Sequence, residues 1–169
     1  MIRLTFEAVL KALLDVRVRL PPIYSIDPKL ILVDYLNYDV KIIVSADMFE
    51  RKAKRPNLFT LEELRYFSPE ELKNERREIT SPLWVIGCMM YEAHFKRSPF
   101  QTSLNNKVTL SLIKEYPPIY PRSMMVKHLP DLNDCVMQLL EKDHSQRLGS
   151  ESFELEVLNH DFFTEESDV

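Results

Sequence analysis

Glycine is nearly absent from this chain: of 169 residues only Gly87 and Gly149 are glycine. Loops that wrap a phosphate are built from glycine, because a residue without Cβ lets backbone amides approach closely. Local material for a Walker loop or a dinucleotide fingerprint is therefore missing. Cysteine is scarce too. Cys88 and Cys135 are too few for a disulfide framework, and with four scattered histidines they give no zinc spacing. Reduced thiols in an intracellular compartment, cytoplasmic or nuclear, are the simplest reading. No apolar run approaches the roughly 20 residues that span a bilayer. The N-terminal stretch is interrupted by Glu7, Lys11 and Asp15, which argues against a secretory leader. The net charge of −4 argues against nucleic-acid binding driven by bulk electrostatics.

What remains is an ordinary globular balance, 45% hydrophobic and 28% charged, over a length that fits one domain with a real core. Phe6, Val9, Leu10, Leu13 and Val16 recur at helical spacing and predict a helix over 5–18, with Thr5 as its N-cap. Pro21-Pro22 stops it. The β-branched runs Ile31–Val33 and Val40–Val44 flank Asn37-Tyr38-Asp39 and predict a hairpin. The stretch ERKAKRPN predicts an exposed loop, and Ser68–Leu72 starts another ordered piece. Leu83–Ala93 is apolar on all sides, the pattern of a buried central helix, with Pro82 tolerated in its first turn. Helices follow over 108–114, 132–140 and 153–158, with Asp131 favourable to a helix dipole. The architecture is therefore mainly α with one small β-hairpin: a single domain over 1–163 and a frayed tail over 164–169.

Five stretches in this order resemble the large C-terminal lobe of a protein kinase, from about Phe6 to Phe163. FEAVLKALLDVRV is similar to the helix before the catalytic loop. DPKLILVD with YDVKIIVSA is similar to the catalytic-loop and metal-loop hairpin. RYFSPEEL resembles the Tyr-x-Ala-Pro-Glu end of the activation segment, and SPLWVIGCMMYEAHFKRSPF the central helix. LLEKDHSQRLGS with EVLNHDFF resembles the last helices, most like those of AGC-group Ser/Thr kinases. The resemblance implies a structural ion pair between Glu70 and Arg147, with Trp84 and Gly87 in the central helix as scaffold.

It also implies which positions should carry chemistry, and those are degenerate. The catalytic His-Arg-Asp falls on Ile23, Tyr24 and Ser25, the loop lysine on Asp27, and the metal-binding asparagine on Leu30. Asp-Phe-Gly falls on Val44, Ser45 and Ala46, and the aspartate that braces the loop on Pro82. A serine hydroxyl is no general base near neutral pH, and leucine or valine offers magnesium no oxygen. The aliphatics suggest a dry, packed cleft floor. A shifted register could instead use Asp27 or Asp47, at the cost of the Pro28 and ILVD matches. Nothing before Phe6 supplies a smaller lobe, so the chain is read either as a lone lobe or as lacking upstream sequence.

The resulting expectation is a catalytically inactive kinase-like domain, a pseudokinase acting as a protein-binding or scaffolding module. No cofactor or metal is expected. ATP and magnesium enter only if an upstream lobe exists and the register is misread. The partner is a protein or a second copy over an exposed upper face near Leu30, Ile31 and Val44; no nucleic acid or membrane is expected. Alternatives are a fragment or divergent member of an ATP-dependent Ser/Thr kinase, and a generic helical interaction domain in which Glu70 and Arg147 lie far apart. Other features have plain readings. Arg51, Lys52, Lys54 and Arg55 make a solvated loop face, PPIYP over 117–121 a stiff connector, and Met89, Met90, Met124, Met125 and Met137 core filler.

Overall fold

The computed structural model describes residues 2–53, 60–74, 76–100, 106–119 and 130–164. Helix α1 runs Ile2–Arg19 and buries Phe6, Val9, Leu10 and Leu13, the stripe read from the sequence. It starts three residues before the expected Thr5 cap, because Ile2 also packs on the core. Arg17 and Arg19 sit in its last turn, where cations favour the dipole. The hairpin consists of β1 (Ile31–Asp34) and β2 (Asp39–Ile42), antiparallel, with Ile31 opposite Ile42 and Val33 opposite Val40. Alternation turns Ile31, Val40 and Ile42 inward, while Leu32 and Lys41 face out. At the turn, Asp34 Oδ1 accepts the Leu36 amide at 2.9 Å and Tyr38 adopts φ 54°.

Two short helices follow, each opened by a reciprocal cap. In α2 (Leu61–Leu64), Thr60 and Glu63 exchange side-chain-to-amide hydrogen bonds. In α3 (Pro69–Asn74), the Ser68 amide donates to Glu71 Oε2 at 2.8 Å, and the Glu71 amide donates to Ser68 Oγ at 3.4 Å. The α2 segment has no hydrophobic period and was not foreseen. Helix α4 (Ser81–Phe95) is the centre of the fold, with Leu83, Trp84, Ile86, Cys88, Met90 and Tyr91 fully buried. It ends at Lys96, whose φ of 58° closes the helix with a hydrogen bond to Glu92 O.

Helix α5 spans Asn106–Glu115 and α6 spans Pro130–Leu139, one residue short of the expected end at Leu140. Helix α7 (Glu154–Leu158) begins one residue after the expected Phe153, which takes φ 55° and stands outside the helix. A further helix, α8, covers Asp161–Thr164, so Thr164 is helical rather than part of a tail; 165–169 lie outside the described residues. Gly87 explains how closely α4 meets α6. A Cβ there would come within 2.9 Å of Leu139 Cβ, so only hydrogen fits between the helices. Met89 and Met90 join the core, but Met137 is 40% exposed because it lies on the outer side of α6. Met124 and Met125, Lys54 and Arg55, and the end of PPIYP lie outside the described residues.

Candidate functional site

Several of the residues singled out by sequence gather in two places; Leu30 and Val44 belong to neither. The first is a buried ion pair. Arg147 Nη1 donates to Glu70 Oε1 at 2.8 Å and Nη2 to Glu70 Oε2 at 2.9 Å. Arg147 is fully buried and Glu70 is 3% exposed. The remaining valences are filled: Ser81 Oγ donates to Glu70 Oε1, while Arg147 donates to the carbonyls of Thr80 and Glu141. Burial alone would raise the Glu70 pKa, but the Arg147 hydrogen bonds and charge outweigh it and hold the carboxyl below its ordinary value. Trp84 stacks on Phe100, with ring centroids 5.3 Å apart and planes 6° apart, and the Arg147 guanidinium lies 5.2 Å from the indole. A generic domain with Glu70 and Arg147 far apart is therefore not what the chain forms.

The second place is a cleft of about 450 Å³ between the segment 25–29, Asp47 and the helices α2 and α3, lined by Ser25, Asp27, Asp47, Glu63, Glu71 and Arg77 among others. It gathers the segment that the resemblance aligns with the catalytic loop and the turn after the position it aligns with the metal aspartate. The amides of Tyr24 and Ser25 donate to Met48 O at 2.7 and 3.3 Å, which ties the two segments together. Asp27 is spent locally: its carboxylate accepts the Lys29 amide at 2.9 Å and caps the turn Pro28–Leu30. Ser25 and Leu30 are half-buried, whereas Val44 is 44% exposed. Buried Ile26 lines the cleft, and Ile23 beside it in sequence is wholly within the core. Val44 does not belong to it; it lies two residues past β2 beside exposed Ile43, where the described residues leave it open.

Asp47 lies in the turn Ala46–Phe49 and is held by Arg77, whose Nη2 donates to Asp47 Oδ2 at 3.0 Å. Arg77 Nε donates to Glu71 Oε1 at 3.0 Å. Burial pushes the Glu71 pKa up, despite hydrogen bonds from Ser68 and the Arg77 charge. Neither Arg77 nor Glu71 was singled out in the sequence. Both sit in a polar run, SPEELKNERRE, whose spacing does not disclose a partner thirty positions upstream. Lys142 was also missed. Its Nζ donates to Ile113 O at 2.7 Å and lies 3.9 Å from the Phe100 ring and 4.8 Å from Trp84.

These residues do not fit magnesium. Leu30 and Val44 offer no oxygen, and Asp47 is committed to a guanidinium. Among the described residues, no group of three or more His, Cys, Asp and Glu could hold a metal ion. Nor is any described helix long and apolar enough to cross a membrane.

Comparison with known proteins sets the chain beside protein kinases. The chain is 31% identical over 104 residues to protein kinase PINOID 2 of Oryza sativa, a match covering 58% of this chain and 21% of that protein. It is 32% identical over 98 residues to the Arabidopsis thaliana serine/threonine-protein kinase KIPK2, covering 58% of this chain and 10% of that protein. It is 31% identical over 100 residues to the Mus musculus serine/threonine-protein kinase ULK4, covering 58% and 7% respectively. The chain thus spans between 7% and 21% of the length of these relatives. The model of the protein kinase domain matches residues 30–163, a span that begins after the Ile23–Ser25 segment and takes in Leu30, Val44, Glu70 and Arg147. With that match over most of its length and, among the described residues, a mainly helical fold with one hairpin, the chain belongs to the protein kinase domain family.

Proposed function

We propose that this chain is a kinase-fold module that does not transfer phosphate and works by binding protein. The observation that carries the reading is the set of side chains at the reacting positions. Phosphoryl transfer needs a carboxylate by the attacking hydroxyl and oxygen ligands for metal. Here a serine, a leucine and a valine stand there, at Ser25, Leu30 and Val44. No cofactor is called for. The binding surface is the hairpin face, where Leu32, Tyr35, Leu36, Ile43 and Val44 are exposed, Leu36 to 91%. Clustered exposed apolar side chains of this kind mark interaction sites. The occupant is a protein partner or a second copy. Two buried free thiols, Cys88 and Cys135, fit a reducing compartment such as cytoplasm or nucleus. Calorimetric titration of the chain with ATP and magnesium tests the reading. No heat of binding is the expected result. Micromolar, magnesium-dependent binding would overturn it.

A second reading is favoured by the relatives. Their names are those of protein kinases, and the chain spans only a small share of each. On this reading the chain is part of, or a divergent member of, an ATP-dependent Ser/Thr kinase. Kinase assay of any longer product containing this sequence separates the two: phosphate transfer to a Ser/Thr peptide supports the second reading and removes the first.

A further inference from the structure

The kinase family brings a divalent cation with it, and the residues at its positions do not fit one. A different cation does fit nearby. Arg77 is 5% exposed and lines the cleft. Its guanidinium donates to four oxygens: Glu71 Oε1 at 3.0 Å, Asp47 Oδ2 at 3.0 Å, Asp47 O at 3.0 Å and Glu50 O at 3.2 Å. Two carboxylates and two backbone carbonyls form the kind of all-oxygen set that hard divalent cations take. A guanidinium satisfies the same set through its fixed fork of five donors. The cage is also built to stay. Glu71 Oε2 accepts the amide and hydroxyl of Ser68, which fixes the first turn of α3, and the Arg77 amide donates to Arg51 O at 2.7 Å.

We propose that Arg77 is a tethered cation that fills this oxygen cage, closing it to divalent metal and cross-bracing the segment 46–50 to α3. The proposal deepens the reading of an inactive module and rests on it. It assigns to one side chain two consequences at once. The acid three residues past the degenerate metal position is withheld from metal chemistry. The segment after that position is fixed in place without a ligand.

Manganese tests it, being a hard, oxygen-seeking ion whose free and bound forms differ in paramagnetic resonance. The full chain is titrated as wild type, D47N, R77M and R77M/D47N, with circular dichroism as the check on folding. The expected result is little bound Mn²⁺ in wild type, no change in D47N, and at least tenfold tighter uptake in R77M that the added D47N removes. Two results overturn the proposal: wild-type uptake of Mn²⁺ that D47N abolishes, or a folded R77M that gains none. If R77M does not fold, R77Q, which keeps more of the volume, is read in its place. If that fails as well, the wild-type and D47N titrations decide alone. The ATP titration stays separate. Nucleotide binding without Mn²⁺ uptake at Asp47 would remove the inactive reading and leave the cage. Uptake at Asp47 without nucleotide would do the reverse.

Discussion

The base of this molecule and the wall of its cleft are each organised around a buried arginine. At the base, Arg147 meets Glu70 with two hydrogen bonds, and neither residue reaches solvent to more than 3%. In the cleft wall, Arg77 divides itself between Glu71, almost as buried, and Asp47, whose side chain is 36% exposed. One pair falls where the family resemblance puts a structural pair. The other stands beside positions where the resemblance puts chemistry and this sequence has Ser25, Leu30 and Val44. The difference teaches that the residues holding this fold are not those at the reacting positions, so one set can be kept while the other changes. Fold similarity by itself does not establish activity.

Stability measurements on the two arginines bear most directly on that contrast. R147M leaves Glu70 as an uncompensated buried charge, and urea unfolding should show a loss of about 3–5 kcal/mol. R77M leaves one half-exposed carboxylate that water can reach, and a Glu71 that burial already biases toward its neutral form; the loss should be about 1–3 kcal/mol. Equal losses would break the contrast.

A smaller effect comes from Lys142, which packs beside the base. Burial brings its pKa down to about 7 from the ordinary 10.5, outweighing the neighbouring Cys88 and Glu141. Between those two values the unfolded chain binds one more proton than the folded one, so stability rises with pH across that window. The charge penalty is complete below pH 7 and gone above 10.5. Allowing for partial exposure, the rise should be about 1–2 kcal/mol. In K142M the slope of unfolding free energy from pH 7 to 10 should flatten correspondingly; an unchanged slope would remove Lys142 as its source. The smallest effect belongs to the hairpin. L36S should change stability by about 0.5 kcal/mol or less. Sedimentation should show a reduced tendency to associate if the hairpin face is where protein docks.

Much of this arrangement was legible in the sequence, for local reasons. The α1 stripe, the hairpin and the all-apolar α4 announce themselves through periodicity, which depends only on near neighbours. The Glu70 and Arg147 positions became legible through the order of five weak motifs. The structure then supplied what periodicity cannot. Arg77 reaches Asp47 across thirty positions, and Lys142 reaches Ile113 across twenty-nine. Helices α2 and α8 have only four residues each, too short to show a period. Val44 is 44% exposed, which agrees with its expected place near an open upper face and not with the packed cleft floor that an aliphatic at the metal position suggested.

Trp84 is the sole tryptophan of the chain, and it sits against Phe100, Lys142 and Arg147 rather than near the hairpin. The molecule therefore carries one indole beside its seven tyrosines, and emission excited selectively at the red edge of tryptophan absorption is an optical signature of the base alone. Association at the hairpin face should pass unseen in that channel. A shift in emission when a partner binds would mean that the disturbance had travelled through α4, the central helix that holds the indole.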